Sequence, residues 1–193
     1  MEQVIGLTGP SGVGKGFAKK AILAAYQGLL VEPIVATTRP RRDDDGADRQ
    51  AGMSDTEFDT LVSSGEIIFA HSPFNNNFRY GFLHSSFQND AATLTEVHVD
   101  NIPRFREQFR DSLFLIGIFA SKKYLESNLH DRDTTTSDLN IRLDAATAEV
   151  AKIKRLHRIG VINEIISVGF RNRETFASQL INLVGLRLGT VNN

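Results

Sequence analysis

An α/β fold with a largely parallel sheet is what this sequence predicts, and three observations predict it. Apolar runs alternate along the chain with segments of helical periodicity. The run 113–119 is apolar almost throughout, as a strand covered on both faces requires. A glycine-rich loop at 9–16 joins an apolar run to an amphipathic segment, the strand-to-helix context in which a backbone can wrap an anion.

Taken in order, 4–8 reads as a buried first strand, and Ala18, Ala21, Ile22 and Ala25 share one face of the helix that follows. Residues 34–37 are a second strand candidate. The segment 39–52 is polar, charged and glycine-containing, which suits a loop or the start of an insertion. Ser54-Asp55-Thr56-Glu57 has the form of a capping box, with Phe58, Leu61 and Val62 at helical spacing behind it. Residues 67–70 form a short strand candidate, and Asn75-Asn76-Asn77 a turn. Strands are expected at 94–99 and 113–119. Ser121 can cap a helix carrying Tyr124, Leu125 and Leu129, after which 131–136 is polar. Leu139, Leu143, Ala146, Val150 and Ile153 line one face of a long helix. A last strand within 162–168 and a last helix at 175–187 complete the pattern.

Composition narrows the function. The chain has 193 residues, enough for one domain or a core with small inserted lids. Its 41% hydrophobic content supplies a real core, while a formal net charge of -1 provides no global basic field for nucleic acid. Cysteine is absent, so disulfides and thiolate metal sites are excluded. The first residues lack a signal peptide's basic region and apolar run, and no stretch reaches the roughly 18 apolar residues of a membrane span. A cytoplasmic protein without nucleic-acid or membrane partners is expected.

The chemistry is carried first by Gly9, Pro10, Ser11, Gly12, Val13, Gly14, Lys15 and Gly16. Glycines let successive N–H groups converge on one anion, the helix N-terminus adds its dipole, and Lys15 brings a mobile positive charge for the outer phosphates of a nucleoside triphosphate. Gly9, Gly14 and Lys15 keep the Walker A spacing, but Gly16 stands where Ser or Thr is usual.

This loop, followed by Thr37-Thr38-Arg39-Pro40-Arg41-Arg42 and by Arg142-Leu143 with Ala145 and Glu149, resembles the guanylate kinase family over most of the chain. The resemblance implies a three-layer P-loop kinase fold, with a core at 1–36, 91–125 and 143–193, an acceptor-binding region at 37–90 and a lid at 126–142. It implies phosphoryl transfer from ATP to a nucleoside monophosphate, GMP by resemblance, with Mg2+ expected. Arg39, Arg42, Tyr80 and Asp100 match acceptor-side positions, Asp100 at the end of the strand 94–99. Lys15, Arg39, Arg132 and Arg142 are the expected catalytic cations. Asn128 stands where the family's lid usually has a further arginine.

Departures cluster on the acceptor side. The family's serine before Thr-Thr-Arg falls at Val35, its phosphate-contacting tyrosine at or near Arg49, its guanine-reading glutamate near Phe69, and a small hydroxyl residue after Tyr-Gly at Phe82. Phe17 replaces a threonine beside the phosphate loop, leaving Ser11 and water to compensate. Two other readings therefore stand beside GMP phosphorylation. One is a kinase of a phosphorylated sugar such as ribose 1,5-bisphosphate, which needs the arginines but no glutamate. The other is a non-catalytic module that binds a protein partner.

Overall fold

The structure, a computed structural model, describes residues 3–43, 45–72, 77–130, 136–169 and 173–190. Arg132, most of the polar segment 131–136 and most of the Asn75-Asn76-Asn77 turn lie outside the described residues.

Five parallel strands form the core sheet in the order β2-β7-β1-β8-β9: β1 (Val4–Thr8), β2 (Leu30–Val31), β7 (Ala92–Glu96), β8 (Leu113–Ala120) and β9 (Glu164–Val168). Side chains alternate between its faces. Ile5 and Leu7 of β1, with Ile116 and Ile118 of β8, pack under α1 (Lys15–Ala25), α4 (Lys122–His130), α6 (Arg173–Leu188) and Leu143 and Ala146 of α5 (Thr136–Arg158). Val4, Leu113 and Leu115 point the other way, toward α3 (Ile102–Phe109) and Ile153 of α5. Burial on both faces explains the continuous apolar run of β8. The three-layer expectation holds.

A second sheet grows from the insertion in the order β4-β3-β6-β5: β3 (Val35–Thr37), β4 (Arg49–Ala51), β5 (Ile67–His71) and β6 (Tyr80–Leu83). Its register places Val35 opposite Arg49 and Phe82, and Thr37 opposite Ala51 and Tyr80. Those residues share one face. On the other face Ala36 and Ile67 pack on Phe58 and Met53 beneath α2 (Asp55–Ser63), whose first turn is capped by Ser54 Oγ accepting from the Glu57 N–H at 3.2 Å.

One irregularity in this sheet matters for function. Ile68 pairs with Phe82 and His71 with Tyr80, so Phe69 and Ala70 of β5 oppose Gly81 alone on β6. That is a β-bulge. Phe69 absorbs it with φ 56°, a conformation that costs a non-glycine residue about 1–3 kcal/mol. Its ring offsets that strain by stacking on Phe105 at 3.9 Å, within a buried cluster that also contains Phe82, Phe87 and Phe109. The extra residue returns His71 to the face that carries Tyr80.

Several boundaries differ from the sequence reading. β7 ends at Glu96, so the 94–99 strand is shorter at its end and Asp100 lies in a short 3-10 turn, Val99–Asn101, beyond the strand. The three-residue β4, the two-residue β2 and the four-residue β6 are too short to carry a readable period, whereas α3, with Ile102, Phe105 and Phe109 buried at helical spacing, is an element the sequence reading lacks. Among the described residues, no helix is long and apolar enough to cross a membrane.

Phe105 is fully buried at the centre of the aromatic cluster. Phe105→Ala should destabilise the fold by about 3–5 kcal/mol in urea denaturation; a loss below about 1 kcal/mol would show that the cluster does not support the insertion.

Candidate active site

The loop between β1 and α1 is shaped by two glycines in particular. A Cβ on Gly9 would lie 2.4 Å from the carbonyl oxygen of Ile118, so only glycine allows the loop to leave the sheet this close to β8. Gly14, the residue before α1, has φ 99°, which suits glycine alone. The first turn of α1 contains no acidic side chain to compete for its free N–H groups. Lys15 folds back across the loop, donating to the carbonyls of Gly9 at 2.6 Å and Pro10 at 3.2 Å.

This loop is one wall of a cavity of about 410 Å³. The floor is formed by the carboxyl end of β7 and the residues after it, Glu96, Val97, His98 and Asn101. The facing wall is the second sheet, through Val35, Arg49, His71, Tyr80 and Phe82, together with Gly81. Glu149 of α5 closes one side. A cavity at the carboxyl ends of parallel strands is where open α/β sheets bind ligands. Here it joins the glycine-rich loop directly to an inserted sheet.

Several lining groups have shifted proton affinities. Burial is the main cause that lowers the pKa of His71 and of His98, keeping both imidazoles neutral at neutral pH. The rings lie 5.8 Å apart. His71 is held by the Phe69 carbonyl, 3.1 Å from its Nδ1, and His98 Nδ1 accepts from the Asp100 N–H at 3.3 Å. Burial raises the pKa of Glu149, with Lys15 and Lys152 opposing that effect. Glu96, at the strand end, places Oε2 4.0 Å from Lys15 Nζ.

A second cavity of about 340 Å³ lies on the other side of the loop, lined by Gly12, Gly14, Gly16 and Phe17 and by Tyr124, Asn128, Arg173 and Phe176. Asn128 Nδ2 donates to the Gly12 carbonyl at 2.9 Å, and Arg173 Nη2 to Asn128 Oδ1 at 3.2 Å. The asparagine in place of a lid arginine thus ties α4 to the phosphate loop.

The structure distributes the expected site residues unevenly. Gly9, Ser11, Gly12, Val13, Gly14, Lys15, Gly16 and Tyr80 line the larger cavity. Pro10 takes part through its carbonyl. Arg39 is buried, with its guanidinium on Asp45, and does not line the cavity. Arg42 is exposed and donates its backbone N–H to Asp45 at 2.8 Å. Arg142 is exposed on α5. Asp100 is paired with Lys152, whose hydrogen bond is the first cause of its lowered pKa, and its carboxylate is 3.6 Å from His98. Glu96 is the carboxylate that ends the strand. Sequence reasoning also passed over His71, Asn101 and the cavity-facing role of Arg49. The alternation of β4 and the bulge in β5, which aim two of them, leave no periodic signal in segments this short.

The Thr37-Thr38 pair has a structural task. Thr37 Oγ1 donates to the Arg79 carbonyl at 2.7 Å and accepts from the Arg39 N–H at 3.1 Å, while Thr38 Oγ1 accepts from the Arg79 N–H at 3.0 Å. The two hydroxyls clasp β3 to the segment entering β6 and so hold Tyr80 in the cavity wall.

No protein-family model matches the chain. The chain is similar to a guanylate kinase of Mesomycoplasma hyopneumoniae (strain J), 31% identical over 176 residues that cover 85% of this chain and 88% of the relative. It is 26% identical over 190 residues to a guanylate kinase of Oceanobacillus iheyensis, covering 90% of each. In fold it matches the crystal structure of guanylate kinase from Anaplasma phagocytophilum with a TM-score of 0.67 and 22% identity, over 99% of this chain and 87% of that one.

Two predictions test the site. Lys15→Ala should lower kcat/KM by about 100- to 1,000-fold while leaving Tm within a few degrees, because it removes a charge from the loop and not from the core; unchanged kinetics would place the chemistry elsewhere. The histidines predict a pH effect on stability. Their folded pKa values are depressed, so the unfolded chain binds more protons and stability falls as pH drops through the ordinary histidine range near 6.5. A His71→Gln, His98→Gln double variant should lose less Tm than wild type between about pH 7.5 and 5.5; an equal loss would contradict the burial of neutral imidazoles.

Proposed function

This chain belongs to the guanylate kinase family, and from that premise we propose that it transfers the γ-phosphoryl group of ATP to GMP. The observation that supports this most strongly is the continuity of the larger cavity from Lys15 to the second sheet. A donor held by the loop and an acceptor held by the sheet would meet inside one cleft. Phosphoryl transfer asks for that arrangement: alignment of attacking and leaving oxygens, and positive charge to offset the anions.

The residues take distinct parts. The N–H groups of residues 11–16, which lead into the start of α1, hold the donor phosphates, and Lys15 turns from the Gly9 carbonyl to the outer phosphate oxygens. The donor's nucleoside extends into the smaller cavity, where Phe17 offers a partly exposed ring and Arg173 a cation. The acceptor's nucleoside lies along the second sheet. No covalent intermediate is needed, because positioning and electrostatics carry this reaction.

Mg2+ fits the residues present. Among the described residues, no group of three or more His, Asp or Glu side chains could hold a metal alone. Mg2+ usually binds through one or two carboxylates, water and the phosphates of its nucleotide. Glu96, beside Lys15 at the end of β7, is the carboxylate placed for that. When bound, the ion would neutralise charge on the donor phosphates.

The base contacts differ from the family's pattern. Phe69 and Phe82, at the positions expected to read guanine, are buried in the aromatic cluster. Guanine's N1–H and amino group would instead meet acceptors among His71, Tyr80 and Asn101, while His98, whose Nδ1 accepts from the Asp100 N–H, would present its other nitrogen as a donor to the guanine carbonyl. A rebuilt base site favours looser discrimination, since buried hydrogen bonds are what reject a wrong base strongly.

ADP release measured with ATP, Mg2+ and one acceptor at a time should show turnover with GMP, abolished or nearly so by Lys15→Ala. Turnover with ribose 1,5-bisphosphate and none with GMP would replace the nucleotide acceptor by a sugar. No turnover with any acceptor, from folded protein that binds ATP, would leave a binding module.

A further inference from the structure

Arg173, the first residue of α6, is held by a neutral partner. Its Nη2 donates to Asn128 Oδ1 at 3.2 Å, and Asn128 Nδ2 donates in turn to the Gly12 carbonyl at 2.9 Å. Hydrogen bonds thus run from the glycine-rich loop through α4 to a guanidinium, and Gly12, Asn128 and Arg173 all line the smaller cavity. Lys19, Arg39, Arg79 and Lys152 are each paired with a carboxylate, that of Glu32, Asp45, Asp59 and Asp100 respectively. Among the described residues, no carboxylate is paired with Arg173 and none lines this cavity; Glu174, next along α6, stands outside its wall. An amide oxygen orients a guanidinium without cancelling its charge.

The loop end of this relay is closely packed. Gly12 has φ 80°, and a Cβ there would lie 3.1 Å from Leu129 Cγ, so α4 comes near enough for Asn128 to reach the loop backbone. The peptide after Gly12 is trans, so its C=O and N–H point opposite ways. With the Gly12 carbonyl turned to Asn128, the Val13 N–H turns into the loop, where it meets the Pro10 carbonyl at 3.3 Å. That bond is long, and an anion in the loop can replace it. One side chain therefore sets the direction of a loop N–H and the place of a cation.

We propose that Arg173 binds the donor's phosphates where they leave the loop, and that Asn128 is the positioning residue that sets its place. The inference rests on the kinase reading above and adds a phosphate contact from α6, which none of the motifs that carry the family resemblance reaches. A triphosphate in the loop carries more negative charge than Lys15 alone offsets, and a guanidinium presents several N–H donors in one plane to its oxygens. Arg173 is exposed at the cavity's edge, so its fork can reach a ligand there.

The test is ATP and GMP binding by calorimetry for wild type, Arg173→Ala, Arg173→Lys, Arg173→Gln, Asn128→Ala and the Arg173→Ala, Asn128→Ala double variant. Arg173→Ala should raise the Kd of ATP about 10-fold, with the Kd of GMP and the Tm close to wild type. Arg173→Lys should keep part of the affinity, whereas Arg173→Gln, which keeps a donor but no charge, should behave like Arg173→Ala. Added salt should weaken ATP binding less in Arg173→Ala than in wild type. Asn128→Ala should raise the Kd of ATP about threefold or more in the wild-type background and by less in the Arg173→Ala background. Wild-type ATP affinity in Arg173→Ala or in Arg173→Gln would overturn the phosphate contact. An equal cost of Asn128→Ala in both backgrounds would overturn the positioning role. A wild-type chain that does not bind ATP would remove the kinase reading and this inference together, whereas wild type that binds ATP beside an unaffected Arg173→Ala removes the inference alone.

Discussion

Two clusters of phosphate oxygens repel each other, and a protein that brings them within reacting distance must supply the opposing charge from fixed positions. That constraint organises the molecule. The parallel sheet is a platform whose strand ends converge on one edge. β1 delivers the phosphate loop there and β7 delivers Glu96. The inserted sheet then turns one face back toward that edge. Lys15 rests on the Gly9 and Pro10 carbonyls and has to turn from them to reach a phosphate, whereas Arg49 is already anchored on Asp45 at the cavity wall.

The acceptor wall shows how local strain serves this geometry. Without the bulge at Phe69, a different residue of β5 would stand beside Tyr80. The backbone cost of the bulge is met by the aromatic cluster, which seals the base of the insertion against α3. The same cluster holds Phe69 and Phe82, the positions that the resemblance assigns to guanine reading. Stability and base recognition thus compete for Phe69 and Phe82, and in this chain packing holds both. Neutral His71 and His98, Tyr80 and Asn101 are among the polar groups around the cavity.

Much of this was legible in the sequence. The order of strand, glycine loop and helix, the apolar run of β8 and the helical face of Leu143, Ala146 and Ile153 follow from periodicity and burial, and the structure bears them out. The Ser54 and Ser121 caps are local chemistry and were equally readable. The resemblance in the motifs around Lys15 and Arg39 pointed to the family. What escaped depends on long-range geometry. Arg49 faces the cavity because a three-residue strand pairs with β3 in one register. His71 does so because of a bulge. Asp100 read as a strand end because Val97 and Val99 extend the apolar alternation, although the strand stops at Glu96. The partner that buries Arg39, Asp45, lies in an acidic run that sequence alone shows only as charge.

The proposed transfer requires donor and acceptor phosphates to share one cavity between the loop and the inserted sheet. The most direct measurement is the affinity of a bisubstrate compound, adenosine and guanosine joined through five phosphates, compared with ATP and with GMP alone. Binding should be at least about 100-fold tighter than either nucleotide, because linking makes the second contact intramolecular. An affinity no better than that of ATP would contradict it, since the two sites would then not open into the same space.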